Sequence, residues 1–293
     1  MSDYGQDEQH RYFIATAVLY GISFPAVLAL CVLSFIKLGR SSLGHGFATW
    51  LRLACVCFTI SCILQLCEFA AVSDLMAHKI DIGKQAHSLD RFMKQHEDAY
   101  YLYYMGWIAI WLYHVTQGLL FVAIVTFCAA RSTKTGSIVW LIVARGLALV
   151  LNGLAIANLA LGIKQHRDYA NERWLLWSMR DTALAFDSIM VAAALLAAGF
   201  ALSRLFKSMH IDGRPAKLAA LASILFLLSA LYRLSVNVKY NRFDRVVGGP
   251  NYLSILDIML DVWAVLGGAA LVFVAGKSCT EGGSMLQQKG SVA

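Results

Sequence analysis

The sequence predicts an all-α polytopic membrane protein, a bundle of seven transmembrane helices. Composition is the first ground: 59% of the 293 residues are hydrophobic and 15% charged, against roughly 45–50% and about 25% in soluble domains. Mean hydropathy is +0.61. The second is length, because seven apolar stretches reach the roughly 20 residues that a helix needs to cross a bilayer. The third is punctuation, since the stretches are separated by short polar segments such as GRSSLGHG, RSTKTG and HIDGRPAK.

Taken in order, the spans are expected near residues 12–36, 49–73, 100–130, 137–163, 182–203, 218–238 and 252–276. A polar segment (1–11) precedes them and a flexible tail (277–293) follows. The first span holds no charge and lacks a small-residue cleavage site after a short apolar core. It therefore reads as a retained span and not as a signal peptide. The second and third are split by the charged segment AHKIDIGKQAHSLDRFMKQHED, the fourth and fifth by KQHRDYANER, and the sixth and seventh by NRFDRVVGGPN.

The formal charge of +7 does not point to nucleic acid. No two Lys or Arg residues are adjacent, and basic loops beside a membrane account for the sign. Six of the seven cysteines sit in apolar runs, with Cys279 in the tail, and none forms a CxxC or Cys/His metal spacing. No metal and no cofactor is expected. Lys37 and Arg40 follow the first span while only Arg11 precedes it, which favours an N-terminus outside or lumenal and a cytoplasmic C-terminus.

Seven charged residues fall within the span limits: Arg52, Glu68, Arg145, Asp187, Arg233, Asp257 and Asp261. Arg52 lies near a helix end and can snorkel to the interface, and Arg145 is balanced between anchor and buried group. The others need partners, because an ionisable group at the bilayer centre costs about 2.5–3.5 kcal/mol on insertion scales. Consecutive spans run in opposite directions. Glu68 late in the second, Asp187 early in the fifth, Arg233 and Asn237 late in the sixth, and Asp257 and Asp261 early in the seventh therefore share the half of the bundle nearer the N-terminus.

Helical periodicity sharpens the picture. Asp257 and Asp261 are i,i+4 neighbours, as are Arg233 and Asn237. On the third span Trp107, Trp111 and His114 follow at i, i+4 and i+7, with Gln117 next toward the edge of the same face. Gln65 stands one turn before Glu68, and Asn158 lies late in the fourth span. Together these outline a pocket of acids, one arginine and indoles for a lipophilic small molecule, with Trp107, Trp111, His114, Gln117, Asn158, Asp187, Arg233 and Asn237 as binding residues. Packing alone also accounts for the Trp107/Trp111 stripe, and hydrogen bonding within the core for His114 and Gln117. The acids outnumber the single arginine. At least one is expected to be protonated, and Asp261, Glu68 and Asp257 are the candidate proton donors. In this reading one aspartate pairs with Arg233, while Asp261, a turn deeper than Asp257, is the preferred free acid.

The run LDVWAVLGG resembles the retinal-binding helix of microbial rhodopsins, but Val265 stands where the Schiff-base lysine would be, and no lysine lies inside a span. Covalent retinal is excluded. The third span ends in FCAARS without an Asp-Arg-Tyr triplet and the seventh lacks Asn-Pro-x-x-Tyr, which disfavours the ordinary G-protein-coupled receptors. In helix count, and in pairing an acid late in the second span (Glu68) with one in the last (Asp257 or Asp261), the chain resembles small seven-span integral membrane proteins of filamentous fungi. That group includes the membrane-bound terpene cyclases. The resemblance implies an acid-initiated cyclase or isomerase whose indoles stabilise a cation. A receptor-like sensor with the same pocket and a proton-coupled transporter stay open beside it.

Overall fold

The computed structural model describes residues 3–38, 45–77, 97–130, 136–167, 172–207, 213–243 and 252–290. Among them the chain is helical throughout. Six spans are carried by α1 (Asp3–Lys37), α2 (His45–Ala77), α3 (Glu97–Ala130), α4 (Gly136–Arg167), α5 (Glu172–Lys207) and α6 (Arg214–Val236), the last running on into a π-helical stretch, Asn237–Phe243. The seventh is composite: α7 (Leu253–Asp257), a π-helical turn (Ile258–Val262) and α8 (Trp263–Gly290). Seven helices are long and apolar enough to cross a membrane, and the chain is a multi-pass, all-α seven-helix bundle.

The expected spans coincide with these helices, with extensions at the edges. The fifth apolar span starts at Trp174 and not near 182, because Trp174, Leu175, Leu176 and Trp177 prolong the hydrophobic run before Arg180 and Asp181. Helix α1 begins inside the polar N-terminal segment, and α8 continues past residue 276 to Gly290. The inter-span segments lie largely outside the described residues.

Sequence neighbours pack as spatial neighbours from α1 to α6, and α6 packs on α8, while α3 also touches α5, α6 and α8. Helix α3 is therefore the central post. The most apolar stretch of its span is 67% buried, against 22% for the first, second and fourth spans. Small residues allow the close approach. Ala193, Ala194, Ala197 and Ala201 on α5 and Ala219, Ala220, Ala222 and Ser223 on α6 are buried, as expected where helices meet without a hydrophobic contrast to lipid. Exposed Ile, Leu and Val side chains such as Ile22, Ile36, Ile142 and Leu149 cover the outside.

Polar side chains tie the helices at specific heights. Ser61 on α2 donates to the carbonyl of Ala109 on α3 (2.8 Å), and Trp263 Nε1 donates to Ser23 Oγ on α1 (2.8 Å). At the end of the bundle away from the N-terminus, Arg52 donates to the carbonyls of Ser34 (3.1 Å) and Leu38. Those carbonyls lie in the last turn of α1 and just past it, where intrahelical donors run out. Arg52 thus serves as a C-terminal cap on a neighbouring helix.

Candidate functional site

Each of the seven spans contributes to one cavity of about 440 Å³ in the half of the bundle nearer the N-terminus. The volume suits a small molecule. Thr16 and Tyr20 face it from α1, Gln65 and Glu68 from α2, and Trp107, Tyr113 and His114 from α3. The remaining spans supply Asn158, Asp187, Arg233, Asn237, Asp257 and Asp261. The shared depth and most of the lining are as the sequence implied.

Two expected wall residues do not line the cavity. Trp111 packs against the apolar core. Its neighbour in the stripe, Trp107, does line the cavity, because helical side chains four residues apart are offset by about 40°. Gln117 lies behind the wall and donates from Nε2 to Asp261 Oδ1 (3.3 Å). Its role is to hold an acid from the back.

Arg233 is the hub of one side. Its Nε lies 3.4 Å from Asp187 Oδ1, its Nη1 3.4 Å from Asp261 Oδ2 and its Nη2 2.7 Å from His114 Nε2. The guanidinium carbon sits 5.7 Å from the centre of the Tyr113 ring, within cation–π range. Asn237 donates to the other Asp187 oxygen (2.9 Å), and Ser229 donates to Asp261. His114 stacks on Phe186 at 4.2 Å. One fork of donors thereby joins α3, α5, α6 and the seventh span, the arrangement for which a planar guanidinium is suited.

Both π-helical stretches belong to this network. Asn237 opens the one that extends α6, and Asp261 lies in the one between α7 and α8. A π-turn accommodates an extra residue in the helix and often marks a functional position. Here the two turns carry the asparagine that holds Asp187 and the aspartate that faces Arg233.

The acid pair separates in environment. Asp261 is buried and held by Arg233, Ser229 and Gln117. Asp257, one turn nearer the end of the bundle, is exposed and accepts from Tyr232 (2.8 Å). The expectation that the deeper aspartate is the free acid is thereby reversed. Desolvation acts on Asp261 as supposed, but it is the carboxyl that the arginine reaches.

The carboxyl without a partner is Glu68. Among the described residues it makes no hydrogen bond or ion pair. It lies flat on α3 at Gly106, where an added Cβ would stand 2.6 Å from the Glu68 carboxyl carbon. The next residue, Trp107, reaches the other way. Its indole covers Gly162 on α4, where a Cβ would come within 2.6 Å of the ring, and the Tyr103 hydroxyl donates to the Gly162 carbonyl (3.0 Å). Gly106 and Gly162 thus seat two cavity side chains, which the sequence did not signal. Nor did it signal Ser229 and Tyr232, because only the packing identifies which hydroxyls meet the acids.

No group of three or more His, Cys, Asp or Glu side chains among the described residues is placed to hold a metal ion. No family model, curated protein or solved structure matches the chain.

Proposed function

We propose that this protein is a membrane-embedded acid/base enzyme of the cyclase or isomerase type, acting on a lipophilic substrate, with Glu68 as its proton donor. The observation that carries the reading is the contrast between the carboxyls. Asp187 and Asp261 share Arg233 and Asp257 is bonded to Tyr232, whereas Glu68 faces the cavity with no counter-ion. A carboxylate without a counter-ion is costly at membrane depth, and the neutral form of half-buried Glu68 is the one that can donate a proton. Its proton passes to an alkene carbon or epoxide oxygen of the substrate. After rearrangement the resulting cation loses a proton to the Glu68 carboxylate, and the product is an isomer of the substrate. The face of Trp107 is suited to the cation between those steps, as is the excess of carboxyls over basic groups on the cavity wall.

The test compares membranes bearing the wild-type protein with membranes bearing Glu68→Gln, each supplied with a panel of lipophilic alkenes and epoxides. Wild-type membranes should convert one of them to a product of unchanged mass, and the Gln variant should not, at equal protein level. Conversion by both proteins would remove Glu68 from the chemistry.

A receptor-like role is the second reading, and the Arg233 hub favours it. Arg233 lines the cavity and joins four spans, so a ligand that displaced it would alter the packing of all four. A ligand-dependent change in helix spacing without turnover would put this reading first. The orientation expected from Lys37 and Arg40, with the C-terminus cytoplasmic, opens the cavity toward the outer or lumenal side.

A further inference from the structure

Around Arg233 the side chains of His114, Asp187, Asn237 and Asp261 are bonded to the arginine or to one another. On α2 and α4, by contrast, Gln65 and Asn158 are 9% and 8% exposed, line the cavity, and find no hydrogen-bond partner among the described residues. Both face the cavity, so a molecule in it can supply the hydrogen bonds that the protein does not. Two such amides in the cavity that the unpartnered Glu68 also lines are an arrangement that a ligand completes.

Register sets the three groups at related heights, on the two sides of α3. Glu68 rests on Gly106, and Trp107, the next residue of α3, rests on Gly162. Gln65 precedes Glu68 by three residues and Asn158 precedes Gly162 by four. Both helices run toward the N-terminal end of the bundle, so the two amides lie about 5–6 Å deeper than those contacts, at a rise of 1.5 Å per residue. They flank α3 at the height of Ile110, which also lines the cavity.

We infer that Gln65 and Asn158 form a head-group subsite for a neutral oxygen, hydroxyl or carbonyl, of a lipophilic molecule whose hydrocarbon lies along Phe58, Ile110 and Trp107. Each amide offers N–H donors and a carbonyl acceptor, which matches a hydroxyl in both directions and a carbonyl through the donors. An anionic head would meet Asp187, Asp257 and Asp261, which outnumber Arg233 in the same cavity. A quaternary ammonium head has no hydrogen bond to give the amides and would leave them unpaired. This inference rests on the reading of the cavity as a substrate site and names the substrate class.

The experiment uses the full chain in lipid nanodiscs and four straight-chain diazirine probes of equal length, ending in a primary alcohol, a methyl ketone, a trimethylammonium or a carboxylate. The alcohol and ketone should label peptides lining the cavity, and excess unlabelled alcohol should compete. The Gln65→Met/Asn158→Leu protein should label about tenfold less, the loss expected for roughly 1.4 kcal/mol of binding. Preferred labelling by the ammonium or carboxylate, equal labelling by all four probes, or no competable labelling of the wild-type cavity would overturn the inference. Undiminished labelling of the double variant would do so too. Labelling does not require turnover, so the Glu68→Gln protein separates the two claims. Retained labelling with lost isomerisation supports both, and retained labelling with unchanged isomerisation defeats proton donation by Glu68 while leaving the subsite in place.

Discussion

Arg233 Nη2 approaches His114 Nε2 to 2.7 Å, and because a guanidinium can only donate, the imidazole nitrogen must accept. His114 is therefore the neutral tautomer with its proton on Nδ1. A second positive charge at that position would face Arg233 directly. The histidine that sequence reading treats as a ligand candidate is thus committed to fixing the arginine.

Arg233→Ala should reduce the yield of folded protein and its thermal stability in detergent. It strands the buried carboxylates of Asp187 and Asp261, a penalty on the order of 3–5 kcal/mol for a broken buried pair. Arg233→Lys should recover only part of this, because one ammonium lacks the planar fork that reaches Asp187, Asp261 and His114 together. Full stability in the Ala variant would show that the hub is not structural.

Gly106→Ala places a methyl group against the Glu68 carboxyl. Overpacking of this kind costs about 1–3 kcal/mol, and the carboxyl must leave its seat. The single variant should lose stability and isomerisation, and combining it with Glu68→Ala should restore most of the stability. A double-mutant cycle on thermal unfolding reads the coupling. Additive effects would mean that the two residues do not touch.

The two aspartates should behave differently. Asp261→Asn removes the charge facing Arg233 and should lower thermal stability, whereas Asp257→Asn, at an exposed site, should change it by less than about 0.5 kcal/mol. Equal effects would place both in the same environment, against the burial that separates them.

A tag placed after the last residue should be digested by protease added to the cytoplasmic face of sealed membrane vesicles, because Lys37 and Arg40 flank the first span. Protection from that face would invert the bundle without moving the cavity.

Much of this was legible in the sequence. Hydropathy located all seven spans, because a bilayer demands unbroken apolar length, and alternating direction placed Glu68, Asp187, Arg233 and Asp261 at one depth. Depth pointed to Asp261 as the free acid, whereas it is the one of the pair that meets the arginine. Asp257 and Asp261 share a helix face, and the choice depends on the donors of Ser229 and Gln117 on other helices. Trp111 was misplaced because its spacing to Trp107 is compatible with both wall and core. Gly106 and Gly162 carry no side chain for a pattern to detect, although each seats a functional group from a neighbouring helix.

The π-turn at Ile258–Val262 bears on how related sequences are to be compared. An α-helix spends 3.6 residues on each turn, and a π-turn spends about one more. Helical-wheel positions assigned from Leu253 onward therefore fall one place out of step beyond Trp263. A relative lacking that one residue would align with a gap in the middle of a span, where gaps are ordinarily penalised. Such a gap near Asp261 would record the loss of the turn that aims this carboxylate, and is informative for that reason.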